Sequence, residues 1–153
     1  MMDIPLRMLL WTVHATAYGL LVVAVLGLLR EDRVAVAVGG MLLGLAYAAG
    51  FAIEGKRVWL GSVTAGWAVL AVAAPPFVWL AFPLLFSYLH VLPLWGAMFG
   101  VGALTSAAVL AAAWHAGGLT VPLVLGPGVA AMVVTLLALA CRALGAAAGR
   151  RSD

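Results

Sequence analysis

Residues 30–57 decide the fold, and they read REDRVAVAVGGMLLGLAYAAGFAIEGKR. A run of 20 mostly apolar and small residues, 34–53, lies here between two clusters of charged residues. About 20 such residues cross the hydrocarbon of a bilayer as one helix. Consecutive charged side chains are too costly to leave in hydrocarbon, so each cluster ends a span. The stretch therefore predicts a transmembrane helix over 34–53 with a polar loop at either end.

The composition of the whole chain extends this prediction to all 153 residues. Hydrophobic residues make up 67% of the sequence and charged residues only 8%, whereas a soluble domain carries about 25% charged residues. This composition excludes an ordinary soluble domain, a disordered tail and a nucleic-acid-binding protein. The single cysteine excludes a disulfide framework within the chain. We therefore expect one integral membrane domain over residues 1–153, an all-α polytopic helical bundle.

Charge clusters, prolines and glycines divide the rest of the chain into further spans. Pro75 and Pro76 lack backbone N–H groups and keep the residue before each out of helical geometry. Gly117 and Gly118 can adopt positive φ and end a helix. Together these breaks predict six spans, at residues 8–29, 34–53, 58–74, 77–92, 94–116 and 124–144.

Pro93 marks the least certain division, because the segment between Pro76 and Pro93 is short for a span. Spans four and five can instead form one kinked helix or a re-entrant pair, which leaves five spans as the alternative. Pro83 is expected to kink span four. Pro127 is expected to kink span six or to lie in its first turn.

The lysines and arginines predict the orientation, since cytoplasmic loops carry an excess of them. With six spans both termini lie on one side of the membrane. That side holds Arg7, Lys56, Arg57, Arg142, Arg150 and Arg151, and the other side holds Arg30 and Arg33. The six-to-two split predicts a multi-pass protein of the cell membrane with both termini in the cytoplasm. The first apolar stretch is longer than the core of a signal peptide, so we expect it to be retained.

The three histidines are candidate ligand or signal positions, because ionisable groups at membrane depth are often functional. His14 and His90 are expected near the cytoplasmic ends of spans one and four, where they can form a pair, and His115 lies near the opposite interface. Such a pair can ligate haem iron, or each ring can bond to water or backbone. No carboxylate falls in the middle of a span, and no motif of a catalytic nucleophile occurs. The sequence therefore predicts no catalytic, cofactor-binding or metal-binding residue.

The aromatic residues suggest one further candidate position. Five of the six tryptophans fall near predicted span ends, as in an interfacial belt, but Trp67 is predicted to lie in the middle of a span. With Phe82, Phe86 and Tyr88 it can line an apolar ligand pocket, or it can pack in the core.

Small residues mark predicted helix contacts. Gly40 and Gly44 are spaced four apart in span two, and Gly96 and Gly100 have the same spacing in span five. Such spacing lets helix backbones approach closely. It indicates tight packing or dimerisation without choosing between them.

Four segments of spans four to six carry a resemblance to a known family. Residues 79–93 read WLAFPLLFSYLHVLP, residues 113–120 read AWHAGGLT, residues 124–127 read VLGP and residues 141–144 read CRAL. They resemble the transmembrane sensor region of actinobacterial sensor histidine kinases of the NarL/LiaS type. The resemblance covers about residues 77–144, and residues 1–76 share only the hydrophobic layout. One departure is that Leu94 and Trp95 stand where the family commonly has a basic pair.

The resemblance implies a sensory or regulatory module of a two-component system. In that family the membrane region precedes a cytoplasmic signalling helix, a phosphoacceptor histidine and an ATP-binding domain. The residues after Leu144 contain none of these three elements, so we expect this polypeptide neither to bind ATP nor to phosphorylate itself. The expected partners are the lipid bilayer, a second copy of the chain, and a kinase or response regulator. Pro83 and Pro127 are then candidate sites of a two-state helix shift.

Two other classes of function remain open on the sequence. Small size, glycine-rich and alanine-rich faces and the histidines are compatible with an accessory subunit of a respiratory or other membrane complex. A small carrier for an apolar substrate is the third possibility, although the chain shows neither a buried carboxylate nor an inverted repeat.

Overall fold

The computed structural model describes residues 3–50 and 54–149, and this part of the chain is helical with no strand. The six α-helices are α1 (Asp3–Arg30), α2 (Val34–Ala49), α3 (Lys56–Ala73), α4 (Ala81–Val91), α5 (Leu94–Ala116) and α6 (Val121–Gly149). A 3₁₀-helix, Pro75–Leu80, precedes α4. The prediction of an all-α fold with about six helices is therefore confirmed.

The helix bounds follow the predicted breaks closely. Helix α5 has the predicted bounds, and α6 begins at Val121, a little before the predicted start. Helix α2 ends at Ala49, and the predicted last residues of span two, 51–53, lie outside the described residues. Leu92 and Pro93 have extended ψ angles of 153° and 155°. Helices α4 and α5 are therefore separate, and the alternative of one kinked helix is wrong.

The fourth predicted span differs from a single α-helix. Pro75 and Pro76 begin a 3₁₀-helix, and the α-helical part starts only at Ala81. Pro83 is the third residue of α4, where a missing N–H breaks no intrahelical hydrogen bond. The expected kink at Pro83 is thus replaced by a change of helix type before it. Pro127 lies inside α6, beyond its first turn.

Three of the helices are long and apolar enough to cross a membrane. They are the segments Trp11–Arg30, Leu94–Ala116 and Val121–Ala140. Val34–Ala49 and Pro75–Val91 are apolar but shorter. Helix α3 carries Lys56 and Arg57 in its first turn, which lowers its mean hydropathy.

Side-chain contacts define two ends of the bundle. At one end, which we call the basic end, Lys56 lies near Gly50, and Arg142 reaches the last carbonyls of α4. At the opposite end Arg33 donates to the Ala73 carbonyl at 2.7 Å. Successive helices therefore run in alternating directions between the two ends.

The bundle is apolar outside as well as inside. Trp67 and Phe77 are among its largest fully buried side chains. Large apolar side chains also cover the surface, where Trp95 is 88% exposed and Phe99 is 81% exposed. A water-soluble monomer rarely exposes so much contiguous apolar surface, so the surface is suited to a lipid environment.

Three of the four predicted packing glycines lie at close contacts within the chain. A Cβ atom at Gly40 would stand 2.8 Å from the Phe77 ring, and one at Gly44 would stand 2.5 Å from Leu21. A Cβ at Gly100 would collide with the ring of Tyr88. Gly96 meets only Leu92 and Pro93 at ordinary distances. The tight spacing therefore serves packing inside one bundle at Gly40, Gly44 and Gly100.

We predict that Gly100→Ala lowers the free energy of unfolding by about 1–3 kcal/mol, the usual cost of overpacking. The added methyl displaces the Tyr88 ring, whose hydroxyl lies 3.0 Å from the Thr64 hydroxyl. Gly96→Ala is the matched control and should be neutral or slightly stabilising, because alanine favours a helix more than glycine does. Thermal or denaturant unfolding in mild detergent measures both, and equal effects of the two variants would contradict the packing assignment.

Candidate functional site: a polar cavity at the basic end

Helices α1 to α4 enclose a cavity of about 440 Å³ near the basic end. Its volume lies within the usual range for small-molecule sites, about 300–1,000 Å³. Polar side chains from all four helices reach this cavity, and they are His14, Tyr47, Lys56, Trp59, Ser87 and His90. Gly50, Phe86 and Val91 complete the described lining. The structure thus brings His14 and His90 to one cavity, as the sequence suggested.

Tyr47 is the centre of the cavity wall. It is only 7% exposed, and its hydroxyl lies 2.9 Å from Nδ1 of His14. The Tyr18 and Trp59 rings pack against the Tyr47 ring with centroid distances of 5.8 and 5.7 Å. Ser87 lies on α4 and donates to the Pro83 carbonyl at 3.2 Å. Aromatic packing and hydrogen bonds therefore fix this wall before any ligand arrives.

The charge of the cavity lining is basic. Lys56 is a cation at the exposed margin, and no described lining residue is acidic. Within the described ranges, no group of three or more His, Cys, Asp or Glu side chains is placed to hold a metal ion. The lining chemistry suits hydrogen-bond acceptors and anions better than cations.

His115 lies at the opposite end of the bundle, and its ring is already used by the fold. Its Nε2 atom lies 2.8 Å from the Ala71 carbonyl oxygen. A carbonyl oxygen only accepts, so Nε2 must carry the proton and donate it. In a continuous helix this oxygen would accept from residue 75, but that residue is proline and has no N–H. His115 therefore replaces the donor that Pro75 lacks.

Arg142 repeats the same arrangement at the basic end. In a continuous helix the Leu89 carbonyl would pair with residue 93, which is again a proline. The Nη2 atom of Arg142 donates to the Leu89 carbonyl and, at 3.1 Å, to the Leu92 carbonyl. These carbonyls flank His90 and Val91, two residues of the cavity lining. Arg142 thereby ties α6 to the helix end that borders the cavity.

Trp67 and Tyr88 have structural contacts in the described bundle. Trp67 is 1% exposed, and its indole N–H donates to the Phe77 carbonyl at 2.8 Å. The Tyr88 ring lies against Gly100. Phe82 and Phe86 line two different cavities, and Trp67 borders a third. The described cavities therefore do not bring Trp67, Phe82 and Phe86 to one pocket, and Trp67 packs in the core.

Pro127 and His115 border a second, mainly apolar groove of about 580 Å³ between the 3₁₀-helix, α4, α5 and α6. Trp79 and Phe82 form part of its wall. Pro83 instead borders a small cavity of about 20 Å³, which also touches Tyr47. The predicted bending points therefore face different cavities.

Tyr47, Lys56 and Ser87 were not predicted as cavity residues. The hydrogen bonds that Arg142 donates to the end of α4 were not predicted either. Tyr47 was detectable as a polar group within a span otherwise free of strong donors. The Leu89 carbonyl, four residues before Pro93, was detectable as a group without a backbone donor, but the sequence did not identify Arg142 as the side chain that pairs with it.

No protein-family model, curated protein or solved structure matches this chain. The resemblance of residues 77–144 to sensor histidine kinases therefore stays a prediction.

We predict that His115→Leu lowers the free energy of unfolding by about 1–3 kcal/mol, because the Ala71 carbonyl then has no donor. His115→Gln should recover part of the loss, since its amide N–H can donate to the same oxygen. Unfolding in detergent measures both variants. A glutamine variant as unstable as the leucine variant would show that ring packing, rather than donation, is what His115 contributes.

Arg142→Met should lower the free energy of unfolding by a similar amount, about 1–3 kcal/mol, by leaving two carbonyls of α4 without this donor. Arg30→Met is the matched control, because Arg30 is exposed at the end of α1. Hydrogen exchange of α4 should rise in the Arg142 variant alone. Equal exchange in both variants would show that the guanidinium does not hold α4.

Proposed function

We propose that this protein is a membrane-embedded sensory or regulatory module, similar to the input domain of a two-component sensor histidine kinase. In this proposal it is a multi-pass protein of the cell membrane with both termini in the cytoplasm. It passes a signal to a kinase or response regulator.

The proposal rests on one observation, the hydrogen bonds that Arg142 donates to the carbonyls at the end of α4. An input module needs a site that senses and a helix that leads the signal out. Helix α4 supplies Ser87, His90 and Val91 to the cavity. Helix α6, which the resemblance identifies as the exit into the cytoplasm, holds the end of α4 through Arg142. The cavity and the exit helix are therefore joined by a direct contact.

Occupancy of the cavity can shift an equilibrium only by binding one arrangement of the helices more tightly than another. Helix α4 is short, with 11 residues. The carbonyls of Leu89 and Leu92 at its end accept from a side chain of α6 rather than from backbone donors. A ligand that moves His90 or Val91 would move these carbonyls as well. Arg142 and α6 would then follow, which is a helix shift of the kind that sensory proteins use.

The distribution of basic residues supports the orientation. Lys56, Arg57 and Arg142 all belong to the basic end of the described bundle. The positive-inside rule favours the cytoplasm for such an end. The cavity then opens toward the cytoplasmic side of the membrane.

The surface of α6 supports association with a second copy. Among its described side chains, Ala131, Thr135 and Ala138 are buried, and they form one narrow stripe. Large apolar side chains such as Leu136 (60% exposed) cover the rest of the helix. A homodimer through this face would place two exit helices side by side.

We predict that the chain, tagged at its native locus and extracted in mild detergent, copurifies with a kinase or response regulator. Mass spectrometry identifies the companions and the mass of the tagged polypeptide, and a tagged unrelated membrane protein of similar size is the control. A tagged polypeptide that itself carries a kinase domain would also support the proposal. Recovery only with respiratory subunits, or with no companion, would contradict it.

A further inference from the structure

The cavity at the basic end combines a basic margin with a largely apolar wall. Lys56 and His90 are both exposed at its edge, whereas Phe86 and the Trp59 ring face its interior. Within the described residues, the Lys56 ammonium has one hydrogen bond, a long 3.5 Å contact to the Gly50 carbonyl. Its remaining donors are therefore available to an incoming acceptor.

The carboxyl end of α4, which carries His90, is capped by a cation. The carboxyl end of a helix carries a partial negative charge that would repel an anion beside His90. Arg142 places its guanidinium on the Leu89 and Leu92 carbonyls at this helix end. Lys56 therefore borders the same cavity as His90, and Arg142 lies against the helix end that carries His90, so the local charge favours an anion.

The shape and the lining of the cavity favour a ligand that has an apolar part as well as a negative charge. Most of the cavity surface is apolar, and its volume of about 440 Å³ exceeds what a small inorganic anion fills. The Tyr47 hydroxyl and Nδ1 of His14 pair with each other in the cavity wall. A ligand that matches both parts has one charged head and one apolar chain.

We propose that this cavity binds a single-chain amphiphile with an anionic head, a carboxylate or a phosphate monoester, with Lys56 and His90 contacting the head. The proposal that this ligand binds is argued from the cavity alone. The role of the ligand as the sensed signal rests on the proposed function. The head lies at the basic margin, and the chain lies along Phe86 and the Trp59 ring.

The test uses the purified full chain in nanodiscs of zwitterionic phosphatidylcholine, with empty nanodiscs subtracted. Saturable binding is measured for decanoate, decyl phosphate, decanol, acetate and inorganic phosphate. We expect saturation with decanoate or decyl phosphate, and whichever binds more tightly identifies the head. Decanol should bind only by partition, and the two chainless anions should bind far more weakly.

The variants separate a specific contact from general surface charge. Lys56→Gln and His90→Gln should each weaken binding, Lys56→Gln by about tenfold, because it removes a charge-assisted hydrogen bond. Arg57→Gln is the matched control, since Arg57 is the exposed neighbour of Lys56 outside the cavity lining, and it should change affinity less than about twofold. Gel filtration and circular dichroism confirm that each variant is folded.

Besides a failure of decanoate and decyl phosphate to bind, three results would overturn the inference. They are decanol binding as tightly as the anions, inorganic phosphate or acetate binding as tightly as the chain-bearing compounds, and Arg57→Gln matching Lys56→Gln. If the chain copurifies with a kinase but does not bind these compounds, the proposed ligand class is wrong and the proposed function is not contradicted. If the chain binds these compounds but copurifies with no signalling protein, the binding site is supported and the proposed function is contradicted.

Discussion

The rest of the bundle depends on pairing two backbone carbonyls that prolines leave without a donor. Ala71 and Leu89 each stand four residues before a proline, and each would otherwise be unsatisfied in an apolar environment. Leaving such a group buried and unpaired costs about 1–3 kcal/mol. His115 and Arg142, from helices much later in the chain, supply the missing donors. The prolines that end α3 and α4 therefore also leave carbonyls with which α5 and α6 form hydrogen bonds.

The same constraint explains other long-range contacts of the structure. Arg33 donates to the Ala73 carbonyl, and the Trp59 indole donates to the Ala46 carbonyl at 2.7 Å. Each of these carbonyls lies in the last turn of a helix, where the intrahelical donors run out. Side chains near one helix end thus complete a neighbouring helix, which fixes the order of packing at both ends of the bundle. In the proposed function, signal transfer relies on the contact between Arg142 and the carboxyl end of α4, which joins the helix that lines the cavity to α6.

The sequence predicted the breaks of the chain well, because breaks are local. The charge clusters at residues 30–33 and 54–57, the double proline and the double glycine all separate helices in the structure. The change to a 3₁₀-helix after Pro75 was not predicted, because a pair of prolines stops an α-helix without specifying the conformation of the next residues. Contacts that span 44 or 53 residues, such as those of His115 and Arg142, are set by packing and not by local pattern. For that reason the sequence placed His115 at the interface opposite His14 and His90, as in the structure, but did not predict the Ala71 carbonyl as its partner.

The most direct test of the role of these donors is a double-mutant cycle between Pro93 and Arg142. Pro93→Ala gives residue 93 an N–H that can pair with the Leu89 carbonyl once α4 extends past its present end. If Arg142 replaces the missing donor, Arg142→Met should cost less in the Pro93→Ala background than in the native chain, by about 1 kcal/mol of unfolding free energy. An equal cost in both backgrounds would show that Arg142 stabilises the bundle in some other way, and would contradict the central claim.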